Sequence, residues 1–359
     1  MVRGEGARRS SRRRSPQGLR LRLSRRSFLI GGGGIAAVAV AGRALAQRPQ
    51  VFQEATPIAV QANPISRFSV ADPDRVRFGD LAFRSGLELR SAAKEFGGFS
   101  SLWRSANGRD LVALADNAQW LRARVETTEG HLSGLAETVL TPLTLANGKR
   151  LRRTRFYDTE SLAIAGNTAF VGVERRHAVI RFAWNGKAFS QGAPIGLHSS
   201  VADLADNEGL EALAIAPPGS ALAGALLAVA ERLPDSDQVT RGYILTGASQ
   251  GEFEIARSDG FGISDMAFLP NGELLLLERR FSIFAGFTTR LRRIPAGAIR
   301  PGRLIDGAVI FESDPSQQID NTEGLAVHRE GRDIILTMIS DDNFNGFQRT
   351  LLLEFALAG

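Results

Sequence analysis

Five times in 359 residues the chain repeats one short phrase, a polar entry followed by a small run of apolar residues. The copies are FSSLW (Phe99 to Trp103), DTESLAI (Asp158 to Ile164), DNEGLEALAI (Asp206 to Ile215), GISDMAF (Gly262 to Phe268) and DNTEGLAV (Asp320 to Val327). Behind each comes a second apolar run that ends in charge: LVALADN, FVGVERR, LLAVAER, LLLLERR and DIILTMISDDN. Aligned on Ser100, Glu160, Glu211, Ser264 and Glu323, the copies step by 60, 51, 53 and 59 residues. One small sheet cannot bury both of its faces alone, so a blade-length repeat of strands and turns specifies stacking around an axis. The fold class read from this is all-β, a β-propeller.

Five copies are visible. The stretch between Asn117 and Tyr157 reads either as extra strands or as a diverged blade, so six blades is the expected number, with five and seven left open. The segment from Arg75 to Arg90 offers two short strands about Ser85-Gly86. It is the candidate clasp that closes the ring against the final strand, RTLLLEF. Domain boundaries follow: a leader over 1–46, a linker over 47–70 whose polar, Pro-bearing sequence shows no sustained period, and the propeller over 71–359.

Composition enters through charge and cysteine. The chain carries a formal +6, but its first 46 residues hold 11 of the 44 basic residues and one of the 38 acids, so the remainder stands near −4. Basicity confined to a leader gives no footprint for nucleic acid, and none is expected as a partner. The absence of Cys excludes disulfides and thiolate metal sites. The leader itself has Ser24-Arg25-Arg26-Ser27-Phe28-Leu29, a weakly apolar run through Gly31 to Gly34, and Ala44-Leu45-Ala46. That is the pattern of a twin-arginine signal peptide with its cleavage site, which places the mature protein in the periplasm and in contact with the membrane only during export. An uncleaved anchor is the alternative.

In a propeller, the first strand of each blade lines the central channel, so matched positions far apart in sequence face one another. Glu160, Glu211 and Glu323 hold such matched positions, with Asp265 and Asp320 nearby, alongside Asp158, Asn207, Glu208 and Asn321. Crowded carboxylates repel, and they must be protonated, paired with Arg or bound to a cation. An all-oxygen set suits Ca²⁺ better than a transition metal. Arg175, Arg279 and Arg280, at the ends of second strands, are the candidates to steady an anionic substrate. For any one acid, capping a turn or pairing with an Arg explains it as well.

Other motifs fail on context. Gly247-Ala248-Ser249-Gln250-Gly251 matches G-x-S-x-G but sits between two strand-like runs, where a nucleophile elbow needs a helix to follow. Asp341 to Asn345 begins like a calcium loop, yet no Glu stands at its twelfth place. His131, His177, His198 and His328 show no ligand spacing.

The copies quoted above, together with FGGFSSL and the final DNTEGLAVHREGRDIILTMISDDNFNGFQRTLLLEF, resemble the phytase-like family of exported bacterial proteins described as having esterase-like activity. The resemblance covers roughly Phe78 to Phe355. It implies a propeller and a hydrolase of phosphate or other small-molecule esters, with Glu160, Glu211 and Glu323 binding Ca²⁺ as propeller phytases do. With Lys at only three positions, Lys94, Lys149 and Lys187, phosphate recognition would fall on Arg. A non-catalytic propeller binding a cell-envelope ligand, and a lactonase of the gluconolactonase type, are the rival readings. The protein is expected to be a monomer.

Overall fold

The computed structural model describes residues 55–197, 201, 204, 209–233 and 236–358. The leader, and Asn207 and Glu208 among the candidate residues, lie outside them. The described residues form five antiparallel sheets, with short parallel additions, arranged as the blades of a propeller. Each blade opens on an inner strand: Phe99–Arg104, Thr159–Ala165, Leu210–Ile215, Gly262–Phe268 and Thr322–Glu330. Each inner strand neighbours the next, and the last neighbours the first, so the ring is closed.

Blade packing explains the runs of Leu. In Leu274 to Leu277, Leu274 and Leu276 pack against the third blade, while Leu275 and Leu277 pack against the fifth. A strand buried on both faces has no polar side to alternate with. Five such clusters fill the five gaps between neighbouring sheets, with Trp120 and Phe182 between the first two blades and Tyr243 between the second and third.

The expected six blades are five. The ambiguous residues beyond Asn117 make no sheet of their own. Gln119–Thr128 and His131–Pro142 are the long outer strands of the first blade, paired through a tight turn at Glu129 and Gly130. Both turn residues have positive φ, 53° and 79°, the geometry that matches a hairpin's twist.

The clasp lies where the sequence places it, but not as two short strands about Ser85-Gly86: one strand, Leu81–Arg90, runs unbroken through both residues, which are paired inside the ladder, and only Arg77–Phe78 folds back on its start. Leu81–Arg90 pairs antiparallel with the C-terminal strand Thr350–Leu357, so the fifth blade takes its inner three strands from one end of the chain and its outer ones from the other. Part of the stretch read as linker is sheet: Gln61–Ile65 extends the fifth blade, and Thr56–Pro57 pairs with the first. Both are outermost strands, where Pro57 and Pro64 cost no ladder bond. Among the described residues no helix is long and apolar enough to cross a membrane.

Candidate functional site

The alignment column read from the sequence is a structural column. Every inner strand carries a β-bulge, and the residue skipped by the ladder is Ser100, Glu160, Glu211, Ser264 or Glu323. A bulge frees one residue from pairing and re-aims its side chain. Repeated at one level in five blades, it gathers these side chains around one mouth of the channel. Ser100 and Ser264 donate to the Thr159 and Thr322 carbonyls of the next blade, at 2.7 and 3.1 Å. The three Glu make no such tie.

A second set surrounds the first. On the second strands, Asp116, Glu174, Glu231, Arg279 and Asp341 each stand one residue beyond the partner of the inner-strand residue that precedes the bulge. The fourth blade departs from the sequence reading by one residue. Glu278 pairs with Ile263 and turns into the sheet, fully buried between Arg290 (2.7 Å) and Arg292 (2.6 Å), so Arg279 stands where the other blades place an acid. Arg279 reaches Glu323 at 3.2 Å. Burial alone would lower its pKa, but the carboxylates of Glu323, Glu231, Glu211 and Glu160 hold it above its ordinary value.

One arginine does not neutralise the mouth. Oxygens of Asp158, Glu160 and Glu174 lie within 4.8 Å of one another. Burial, then repulsion from Glu211 and Glu323, pushes Glu160 well up; burial, then Glu231 and Glu174, does the same to Glu211. Burial also raises Glu323, against the pull of Arg279 and of Asn321. Asp116 and Glu174 are each pushed up to about 7 by burial and then by Asp158, and Asp341 to about 8 by burial and then by Glu323. Asn321, 3% exposed, donates through Nδ2 to Glu323 at 2.7 Å and to Asp341 at 3.5 Å. Its Oδ1 is buried without a partner, as is Oδ1 of Asp116. Buried acceptors left unpaired are costly, and an oxygen-lined acidic site with acceptors to spare fits a hard cation.

Four sequence candidates sit elsewhere or on the rim. Asp265 lies one residue past its bulge, 1% exposed, and crosses the channel instead of facing the mouth. Its Oδ2 accepts from Leu325 N at 2.8 Å and Ser101 Oγ at 3.2 Å, and its Oδ1 accepts from Met266 N at 2.8 Å. Burial raises its pKa against these donors and a further bond from the Leu102 amide. The residues at its level in the other blades are Ser101, Ser161, Ala212 and Gly324. At Gly324 a Cβ would stand 2.5 Å from Ile339 Cγ2 and 3.0 Å from Leu102, so the narrow waist holds a single carboxylate among small residues. Asp320 accepts from the amides of Asn321 and Arg349 and organises the loop before the last strand. Arg280 donates to the Asp259 carbonyl and covers Phe261, away from the Glu cluster. Arg175 is half-exposed on the rim, paired with Asp158 and lying 5.0 Å from the Tyr157 ring.

The residues at the mouth that the sequence places only at the ends of second strands, outside the expected metal set, are Asp116, Glu174, Glu231 and Asp341. The signal is the charged end of each second run, where a carboxylate beside an Arg reads equally as a metal and anion site or as a self-satisfied ion pair.

A family model described as phytase-like, esterase-like activity of phytase, matches residues 94–344. Among solved structures the chain is similar to the major allergen Mala s 1 of Malassezia sympodialis, at 11% identity and a TM-score of 0.41 over 78% of this chain and 91% of that one. It is similar to glutaminyl cyclase of Myxococcus xanthus at 10% identity and a TM-score of 0.38, covering 84% and 97%. It is also similar to U3-55K at 10% identity and a TM-score of 0.38, covering 72% and 96%. Likenesses this distant carry no argument about chemistry. No curated protein matches the chain.

Proposed function

The chain belongs to the phytase-like family, and from that premise we propose that it is an exported, Ca²⁺-dependent hydrolase of phosphate or other small-molecule esters. The observation that carries the reading is the convergence of Glu160, Glu211 and Glu323 at bulges, ringed by further carboxylates, with Asn321 Oδ1 and Asp116 Oδ1 buried and unpaired. Glu160, Glu174 and Asp158 would hold the cation on one side of the mouth, and Glu211 and Glu323 on the other. When bound, Ca²⁺ would polarise an ester or phosphoryl oxygen and lower the pKa of a coordinated water.

The protein's own groups have separate parts. Asn321 fixes Glu323 through the 2.7 Å bond. Arg279 is the cation placed to meet a substrate anion inside the mouth, and Arg175 the one on its rim. The export part rests on Arg25-Arg26 and Ala44-Leu45-Ala46. Changing both arginines to Lys should trap full-length precursor in the cytoplasm, and mature protein still reaching the periplasm would refute it.

A second reading has one observation in its favour. Arg279 already sets positive charge among the Glu side chains, as a binding module with a partly neutralised mouth would need. A screen of phosphate esters, carboxyl esters and lactones with Ca²⁺, then with chelator, separates the two. Turnover abolished by chelator supports the hydrolase, and the preferred substrate separates a phosphatase from a lactonase. Ligand binding without turnover supports the module, and calorimetry that detects no Ca²⁺ binding removes the metal from either account.

A further inference from the structure

Beside the acidic mouth lies an open cavity of about 540 Å³ with a different chemistry. It shares Asp116 and Asp158 with the mouth, and its other walls bring Lys94, Glu95, Asn117, Arg152, Tyr157 and Phe344 together from four separate stretches of chain. The side chains of Lys94 and Arg152 enter no hydrogen bond or ion pair among the described residues, and both residues are exposed. Two unpaired cations thus stand at the edge of a strongly anionic region. Tyr157 and Phe344 are large aromatics left 38% and 43% exposed.

Phe344 is held there at a conformational cost. It and Asn343 both adopt left-handed backbone, at φ 49° and 48°, a conformation a bulky residue keeps only when its surroundings enforce it. The enforcement comes from the first blade. Asp342 Oδ1 accepts from the amides of both Gly98 and Phe344 at 3.0 Å. At Gly98, where φ is +62°, a Cβ would fall 2.2 Å from the Phe344 ring and 2.7 Å from Asp116 Oδ1. The glycine pair in Phe96-Gly97-Gly98-Phe99 therefore lets the loop of the fifth blade settle onto the first and present an aromatic ring into the cavity. On the far side, Arg175 lies over the Tyr157 ring and pairs with Asp158, steadying that wall.

We propose that this cavity is a subsite for an aromatic group bearing negative charge, with the ring received by Tyr157 and Phe344 and the anion by Lys94 and Arg152. The inference rests on the hydrolase reading only for the next step, that such a group is one half of the ester cleaved at the mouth. Substrates would then be esters of aromatic anions in preference to polyol phosphates, which offer no aromatic ring to Tyr157 and Phe344. Stacking and guanidinium pairing supply the recognition.

The test is calorimetric titration of the purified protein in the presence of chelator, so that metal binding plays no part. Phenylphosphonate should bind about tenfold more tightly than methylphosphonate, a difference worth about 1.4 kcal/mol, and benzyl alcohol should not bind measurably. Arg152→Ala and Lys94→Ala, both on exposed side chains, should each weaken phenylphosphonate several-fold. Phe344→Leu, which keeps apolar contact with Gly98, should bring phenylphosphonate down to the level of methylphosphonate. Equal affinity for the two phosphonates, or affinity unchanged in Arg152→Ala and Phe344→Leu, overturns the subsite. Phenylphosphonate binding as described, in a protein that hydrolyses no ester with or without Ca²⁺, supports the subsite and leaves only the hydrolase reading refuted.

Discussion

Replacing Asp265 by Ala tests whether the waist of the channel is a structural bolt or part of the metal site. The carboxylate belongs to the fourth blade but accepts from Leu325 in the fifth and from Ser101 in the first. Ser101 in turn accepts from the Leu162 amide of the second blade at 3.2 Å, so one connected set of bonds spans four blades. Ala removes the acceptor for three backbone amides, those of Leu325, Met266 and Leu102. At about 1–3 kcal/mol for each buried donor left unpaired, the loss is about 3–9 kcal/mol. For a domain of this size that lowers the melting temperature by about 5–14 °C. Asp265→Asn keeps one oxygen for Leu325 and Ser101 and removes the buried charge, so it should lose less. Scanning calorimetry gives the stability, and Ca²⁺ titration of the same samples should be unchanged. An Ala variant that melts with the parent, or one that stays folded but no longer responds to Ca²⁺, would show that the residue has been misplaced.

Three further outcomes follow from the geometry. Asp116, Glu174 and Asp341 have folded pKa values raised to about 7, 7 and 8, so their contribution favours the folded state at low pH and is lost as pH rises through 7 to 8. Chelator-treated protein should therefore melt lower at pH about 8.5 than at about 5.5, with Ca²⁺ restoring the difference, and a flat profile would contradict the crowding of charge. Glu211→Gln combined with Glu323→Gln should abolish the rise in melting temperature produced by Ca²⁺, which in the parent is worth about 2.7 kcal/mol at a hundred times the Kd; activity lost with the shift intact would make the two residues catalytic and not ligating. Deleting residues 349–359 exposes the paired edge of Leu81–Arg90 and opens the ring, so the whole domain should lose cooperative unfolding, and an unchanged melting temperature would show that the C-terminal strand does not close it.

The sequence showed its repeat because each inner strand must offer the same things in the same order: a turn, a residue at the bulge, and apolar side chains for two neighbouring gaps. That made Glu160, Glu211 and Glu323 legible as one column without any knowledge of bulges. The blade number was not legible, because the strand-rich residues after Asn117 lengthen one sheet as readily as they begin another, and only the Glu129-Gly130 turn marks the difference. Arg279 was visible but assigned by its resemblance to Arg175. The second strand of the fourth blade meets its bulge one residue out of step, which turns Glu278 inward and leaves Arg279 at the acid's position. Asp265 looked like a ligand because a carboxylate at a channel is one in either role. What decides the role is the distance to Ser101, 164 positions away in the chain, and no local pattern encodes it.

A residue left out of the ladder answers to no partner strand, and this gives the mouth an independence that the rest of the sheet lacks. A substitution at a paired position must satisfy the strand beside it and the blade behind it. One at a bulge need satisfy only the space above the channel and the side chains that share it, as Glu323 does with Arg279 and Asn321. Two of the five places are already committed, since the hydroxyls of Ser100 and Ser264 tie one blade to the next. Glu160, Glu211 and Glu323 remain as three addresses at which the chemistry can be rewritten while the architecture stands. Divergence within such a scaffold should therefore concentrate at those three addresses, and a designer wishing to change what the mouth accepts would begin there.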